Sequence, residues 1–356
     1  MKKQYIIPIF VPHLGCPNDC IFCNQRKISG QIKPVTENDV RDTIEFYLSN
    51  FKETNANIEV AFYGGSFTGI EVEQQNKLLQ AAYDYIKEKK VHSIRISTRP
   101  DYIDKEILKR LRKYKVKTIE LGVQSTNDYI LDRCKRGHTF KDVIKASKLI
   151  RRFRMKLGHQ MMLGLPDSTE LDDINTAKDL IKLKPDMVRI YPVLVIKGTE
   201  LEKEYNENKY DPLTVEQAVD RCKELCYLFG RKKIDVIRIG LQNTDTICSP
   251  TNQGSEVVAG PYHETFRQLV ESSIYYDTIV DKIKKFNTRV KEVEVTVNPQ
   301  NVNNVVGYKK SNILRLKEMY DVDVVVKQDI KYSQQKIDVK ISKRFKDFID
   351  EDESKK

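Results

Sequence analysis

No apolar run in the 356 residues approaches the roughly 20 that a membrane-crossing helix needs, which excludes a helical membrane protein. A secretory leader is missing too. Pro8, Pro12 and His13 interrupt the opening "MKKQYIIPIFVPHLG", and no small-residue cleavage site follows, so the segment reads as a strand of a cytoplasmic protein. The seven cysteines are few and odd in number, in a chain too large to need disulfide staples. Reduced thiols and metal ligation are the better assignment. No internal repeat is visible. Hydrophobic residues at 40% and charged residues at 32% describe a soluble globular protein with a heavily charged surface. The net charge of +11 points to an anionic partner, nucleic acid first, although lysine-rich surfaces also arise without one.

What is present is an alternation. The apolar β-rich runs "YIIPIFV", "IEVAFYGG", "SIRISTRP", "TIELGVQS", "LGHQMMLGLP" and "MVRIYPVLV" are separated by amphipathic stretches, the first carrying Val40, Ile44, Leu48 and Phe51 and opened by Thr36 with Asp39 three residues on. Near-continuous apolar strands between helices indicate parallel strands buried on both faces. Six such units through about Val193 predict a barrel-like or partly open α/β sheet. In that architecture the residues following each strand converge at one end, where ligands bind. Here they are glycines and polar residues: "GCPNDC", "GGSF" at Gly64, Gly65, Ser66 and Phe67, "STRPD" from Ser97 to Asp101, Gln124 with Ser125, "GLP" from Gly164, and Tyr191 with Pro192. A helix at about 214–230 and a strand "IDVIRIGLQ" follow. From about Lys282 the chain turns lysine-rich, placing a domain boundary near 280 and leaving "DEDESKK" as a frayed end.

Cys16, Cys20 and Cys23 fall within eight residues. A structural zinc normally takes four Cys or His ligands; the second Cys-x-x-Cys pair is absent, though His13 is near enough to serve as a fourth. Three thiolates on a tight loop suit a cubic iron–sulfur cluster, with three corners tied and one iron open. Cys222 and Cys226 lie four apart on one predicted helix, and Cys248 follows in a loop; an auxiliary cluster is conceivable, but the first two share an apolar stripe with Val219 and Leu225 and read as core. Cys134 reads as packing. His138, His159 and His263 read as structural histidines.

The Cys16-x-x-x-Cys20-x-x-Cys23 spacing, with Phe22 before the last cysteine, resembles the signature of the radical S-adenosylmethionine (SAM) enzymes. That resemblance implies a [4Fe-4S] cluster on the three cysteines, SAM on its open iron, a 5′-deoxyadenosyl radical, and a reducing partner such as flavodoxin or ferredoxin. It implies that Phe22 flanks the adenine, that Gly64 and Gly65, with Ser66 beside them, cradle the cofactor's methionyl group, and that the fold is a partial (β/α)6 barrel. The ordered blocks "YGGSF", "STRPDYID", "IELGVQSTNDYIL", "KRGHT", "MMLGLP", "RIYPVLVIKGTEL" and "VIRIGLQ" are similar to those of the elongator catalytic subunit family, which modifies wobble uridines of tRNA. By that likeness Ser97, Thr98 and Arg99 line the SAM or substrate pocket, Gln124 and Ser125 face it, and Tyr191 and Lys197 stand at its far rim, with Arg99, Gln124 and Tyr191 as the catalytic candidates. Two departures stand out. Ser97 replaces that family's glutamate, and nothing after Gln242 has the length or glycine pattern of its acetyltransferase domain.

The segment from Glu292 resembles a KH RNA-binding module in its order of strand, two helices and two strands. Gly307 stands at the first glycine of that module's Gly-x-x-Gly loop; Lys310 replaces the second, and Lys309 and Lys310 offer charge to phosphate. The expected organisation is a barrel domain with its extension over 1–280, a small basic KH-like α/β module over 281–349 and a disordered tail over 350–356. The expected function is radical SAM modification of RNA, tRNA first. A radical SAM enzyme acting on a small metabolite and a non-catalytic iron–sulfur RNA-binding protein are the rivals.

Overall fold

A computed structural model describes residues 4–11, 20–24, 34–52, 56–286, 288–333 and 336–344. Cys16, the final helix considered for the C-terminus and the expected tail over 350–356 lie outside these. The chain forms two compact units, Met1–Glu264 and Thr265–Lys356.

In the first unit, strands β1 (Gln4–Val11), β2 (Asn57–Gly64), β3 (Ser93–Thr98), β4 (Val116–Gln124), β5 (Lys156–Leu163) and β6 (Met187–Pro192) alternate with helices α1 (Glu37–Asn50), α2 (Val72–Lys87), α3 (Lys105–Lys113), α4 (Asp128–Arg133), α5 (Phe140–Arg152) and α6 (Glu170–Leu183). A short strand β7 (Val195–Ile196), helices α7 (Glu200–Asn206) and α8 (Val215–Arg231), strand β8 (Asp235–Ile239) and strand β9 (Val257–Ala259) complete it. The large sheet has seven strands, ordered β1-β2-β3-β4-β5-β6-β8 and parallel throughout. Helix starts follow from sequence: Thr36 with Asp39 and Thr169 with Asp172 each close a reciprocal cap that satisfies amides the first turn leaves open.

Both faces of the sheet are buried, as the apolar runs predict, but only one face is apolar. Ile94, Ile96, Ile119, Leu121, Leu157 and Ile190 form it, with Leu78, Leu108, Leu111, Val143, Ile150 and Leu180 of the helices. Their alternates are polar and bond one another. Arg95 Nη2 meets Glu59 Oε2 at 2.7 Å and Arg95 Nη1 meets Glu120 Oε1 at 2.8 Å; Arg189 grips Glu120 through Nε and, at 3.0 Å, through Nη2. Ser93 and Thr118 donate to Glu59, and Gln160 to Glu120. Arg189 Nη2 also reaches the Tyr63 hydroxyl at 3.0 Å. Tyr63 on β2 and Arg189 on β6 are four strands apart, about 19 Å in a flat sheet. Their contact requires a sheet curled into a half-barrel with this network inside it.

The second unit comprises α9 (Phe266–Ile283), β10 (Val290–Val297), α10 (Val302–Val306), α11 (Ser311–Tyr320), β11 (Asp323–Gln328) and β12 (Ile337–Arg344). β10 is central, parallel to β11 and antiparallel to β12. Its core gathers Tyr276, Ile279 and Val280 of α9 with Val293, Val295, Val297, Val305 and Leu316. α9 therefore belongs to this unit, and the division falls at Glu264/Thr265 rather than near 280. Composition changes only after the helix; its apolar face already serves the second core. Among the described residues, no helix is long and apolar enough to cross a membrane.

Candidate functional site

The cysteine turn lies at the ends of the strands. Cys23 N donates to Cys20 O at 2.8 Å, closing a tight turn. Ile21 N donates to Cys134 O at 3.4 Å, and Leu201 N to Ile21 O at 2.8 Å. Cys20, Ile21 and Phe22 are buried with Ile130 of α4 and Cys134 at its end, Leu165 and Val193 just after β5 and β6, Val195 of β7 and Leu201 of α7. Apolar side chains flanking the thiols thus fix the turn to the barrel mouth. Phe22 is one of these packing residues. Burial pushes the Cys134 thiol up to about 12, so it stays protonated.

Arg136 brings a cation to the turn: Nη1 lies 3.1 Å from Cys20 Sγ while Nη2 donates to Gly122 O at 2.8 Å. Nothing in the "KRGHT" block of the sequence marks Arg136 as a sulfur contact. Glu120, Arg95 and Arg189 do leave a signal there, a charged residue at alternate positions of "SIRIS", "TIELG" and "MVRIY", which is that of a buried polar face. Burial alone would raise the Glu120 carboxyl; hydrogen bonds and charge from Arg189, then Arg95, outweigh it and hold it below the ordinary range.

The other candidates fall into place individually. Gly64 has φ of +102°, and a Cβ there would stand 2.4 Å from Val11 O, so backbone approach to β1 itself requires glycine. Gly65 N donates to that same carbonyl at 3.2 Å. Ser66 Oγ lies 2.7 Å from Thr98 Oγ1 and accepts from Arg99 N at 3.2 Å, tying the exit of β2 to that of β3. Ser97 Oγ accepts from Gln160 Nε2 at 3.4 Å. Arg99 is buried and grips Asp101 with two nitrogens, each at 3.0 Å. Ser125 Oγ accepts from Asn127 N at 3.1 Å and lies 3.4 Å from Thr176 Oγ1, so it is occupied in the turn toward α6. Gln124 has φ of +68°, and its Oε1 is buried with no partner among the described residues. Tyr191 shares the inner face with Arg189; burial raises its phenol, and Arg189 opposes the rise. Lys197 Nζ donates to Ser255 O at 2.6 Å, and Asn24, next to Cys23, donates to Lys197 O at 3.4 Å.

Cys222 is buried on the core stripe of α8 with Ala218, Leu225 and Phe229; Cys226 is half-buried, and Cys248 Sγ donates to Asp245 O at 3.4 Å. Among the described residues, no three His, Cys, Asp or Glu side chains gather as a metal site. His159 is buried against Ser147 at 2.9 Å, with burial pushing its pKa down to about 3.

Comparison with known proteins agrees with this arrangement. The Radical SAM superfamily matches residues 10–180 and the Radical SAM C-terminal domain residues 185–276. The tRNA uridine(34) acetyltransferase of Methanocaldococcus jannaschii is 33% identical over 183 residues, 46% of this chain and 34% of that protein. An uncharacterized protein of the same organism is 32% identical over 228 residues, 61% of this chain and 70% of that one. Archaeal Elp3 from Methanocaldococcus infernus, with an N-terminal deletion, superposes with a TM-score of 0.61 at 24% identity, covering 79% of this chain and 64% of that one. The chain thus spans about a third of the length of the Methanocaldococcus acetyltransferases that it matches. With a parallel half-barrel and a cysteine turn at its mouth, the chain belongs to the radical SAM superfamily, which works with a [4Fe-4S] cluster and SAM.

Proposed function

We propose that this protein is a radical SAM enzyme that modifies RNA, with tRNA as the substrate class. The observation that carries the reading is the cysteine turn, which sets Cys20 and Cys23 at the mouth of a half-barrel beside the Arg136 guanidinium. The donor set fits the cofactors: two thiols on one turn, with Cys16 four residues earlier in sequence, suit a cluster, and the orphaned Gln124 Oε1 is an acceptor for a hydroxyl of SAM or substrate. Cys16, Cys20 and Cys23 hold the cluster, Gly64 and Gly65 adjoin SAM, and Gln124 and Tyr191 line the cavity. Bound there, the cofactors supply a 5′-deoxyadenosyl radical that abstracts hydrogen from substrate, given electrons from a carrier such as flavodoxin or ferredoxin. Arg99, paired with Asp101, shapes the pocket wall rather than acting as a free cation.

Two features support RNA. The curated relatives include tRNA uridine(34) acetyltransferases, and the second unit presents Lys309 and Lys310 on a loop behind Gly307. On the outer face of its sheet Lys327, Lys343 and Lys340 are paired with Glu294, Glu292 and Asp338, whereas the loop's Lys309 and Lys310 offer their charge to phosphate.

Anaerobic reconstitution followed by reduction and SAM is expected to yield 5′-deoxyadenosine, and Cys20→Ala is expected to lose the cluster's visible absorption. Mass spectrometry of tRNA nucleosides from cells with and without the protein tests the substrate. A missing nucleoside supports the reading; identical profiles alongside active SAM cleavage move it to small metabolites.

A further inference from the structure

At the end of β4 the backbone turns in a way few residues tolerate. Gln124 has φ of +68°, and Ser125 N donates to Val123 O at 3.0 Å, making Gln124 the centre of a three-residue γ-turn with positive φ, the rare and strained form. Glycine would relieve that strain, yet the position carries a glutamine whose carboxamide oxygen is buried and unpartnered. Strain of this kind persists only where the surroundings over-determine it, and it concentrates at functional sites.

Two side chains secure the turn. On one side Ser125 Oγ accepts from Asn127 N at 3.1 Å and lies against Thr176. On the other, His138 Nε2 stands 3.2 Å from the carbonyl oxygen of Val123, the same oxygen that closes the γ-turn. A carbonyl only accepts, so Nε2 carries the proton and Nδ1 the lone pair, and Nδ1 is buried with no partner among the described residues. Burial, then the charges of Arg136 and Arg99, push the imidazole pKa down to about 3, so the ring is neutral at physiological pH. Its backbone is fixed as well. Thr139, the next residue, caps α5 and donates its N–H to Asp142 Oδ2 at 2.9 Å.

We propose that His138 is a positioning residue that, by donating Nε2–H to Val123 O, holds the strained turn aiming the Gln124 carboxamide at bound SAM. The proposal rests on the reading of Gln124 as a cavity residue given above, and the two fail differently.

The test is SAM binding to the cluster-reconstituted protein by equilibrium dialysis, with cluster absorbance and the thermal midpoint followed in parallel. Gln124→Gly is expected to raise the midpoint by releasing strain while weakening SAM binding. His138→Phe, which fills the site without a donor, is expected to weaken SAM binding about tenfold, the loss of one hydrogen bond. His138→Gln, which keeps a donor, is expected to recover most of it. In the Gln124→Gly background, His138→Phe is expected to cost nothing further. If His138→Phe does not fold, His138→Asn, too short to reach Val123 O, takes its place. The proposal is overturned if loss at His138 weakens SAM equally with Gln124 already replaced, or leaves affinity intact while Gln124→Gly lowers it. Unchanged affinity in Gln124→Gly overturns the assignment of Gln124, and the proposal with it.

Discussion

Gly64 shows how much of the site is decided by a single missing methyl group. The sequence likeness assigns the Gly-Gly pair to cofactor approach, but the backbone gives Gly64 a prior obligation. Its φ of +102° is strained for any L side chain, and a Cβ would collide with Val11 O, the last carbonyl of β1. The first effect alone costs roughly 1–3 kcal/mol, and the clash adds to it because the obstacle is backbone that cannot rotate away. Gly64→Ala is therefore expected to lower stability even without cluster or SAM, read as a fall in the urea midpoint of the apoprotein. A midpoint equal to the wild type would return Gly64 to a purely cofactor-facing role.

Among the elements, α6 carries a buried carboxyl that makes stability depend on pH. Asp173 is buried, pairs with Arg221 Nη1 at 2.9 Å across to α8, and receives the Gly164 N–H from the end of β5. Burial dominates these partners and pushes its carboxyl up to about 7. The unfolded chain releases that proton near pH 3.8, so between about 4 and 7 the native state holds a proton that the unfolded state has lost. Stability from this group is greatest at low pH and declines as pH rises, by roughly 2 kcal/mol between pH 5 and 7. Asp173→Asn is expected to flatten that decline, measured as the difference in urea midpoints of the two proteins across the window. Parallel curves would show that Arg221 keeps Asp173 ionised throughout. The elements themselves were legible in sequence because parallel strands and amphipathic helices impose different periods; Thr36 even marked its helix start to the residue. The inner face was not, because reading each strand by its apolar content hides Arg95, Glu120 and Arg189, which make sense only when neighbouring strands align them. The strain at Gln124 and the sulfur contact of Arg136 were equally hidden: the first is a backbone angle, and the second joins residues 116 positions apart. α9 escaped its proper unit because an amphipathic stripe does not say which core it serves.

For the molecule as a whole, the formal charge of +11 gains meaning only from where the lysines stand. On the sheet of the second unit Lys327, Lys340 and Lys343 each face an acid, so their field cancels within a few ångströms. Lys309 and Lys310 sit in consecutive left-handed conformations at the start of α11, with Gly307 packed so closely that a Cβ would stand 2.4 Å from Ser311 Oγ. A loop fixed in this way holds its charges at a defined spacing, which suits a phosphate backbone more than diffuse attraction would. If both lysines contact phosphates, Lys309→Ala with Lys310→Ala is expected to weaken tRNA binding and to reduce the slope of log affinity against log salt by about 1.5–2. Lys327→Ala with Lys340→Ala, which removes equal charge from the paired face, is expected to change the slope little. Equal effects from the two double variants would mean that RNA senses only net charge, and a loop variant indistinguishable from wild type would remove the second unit from RNA recognition while leaving the barrel chemistry as it stands.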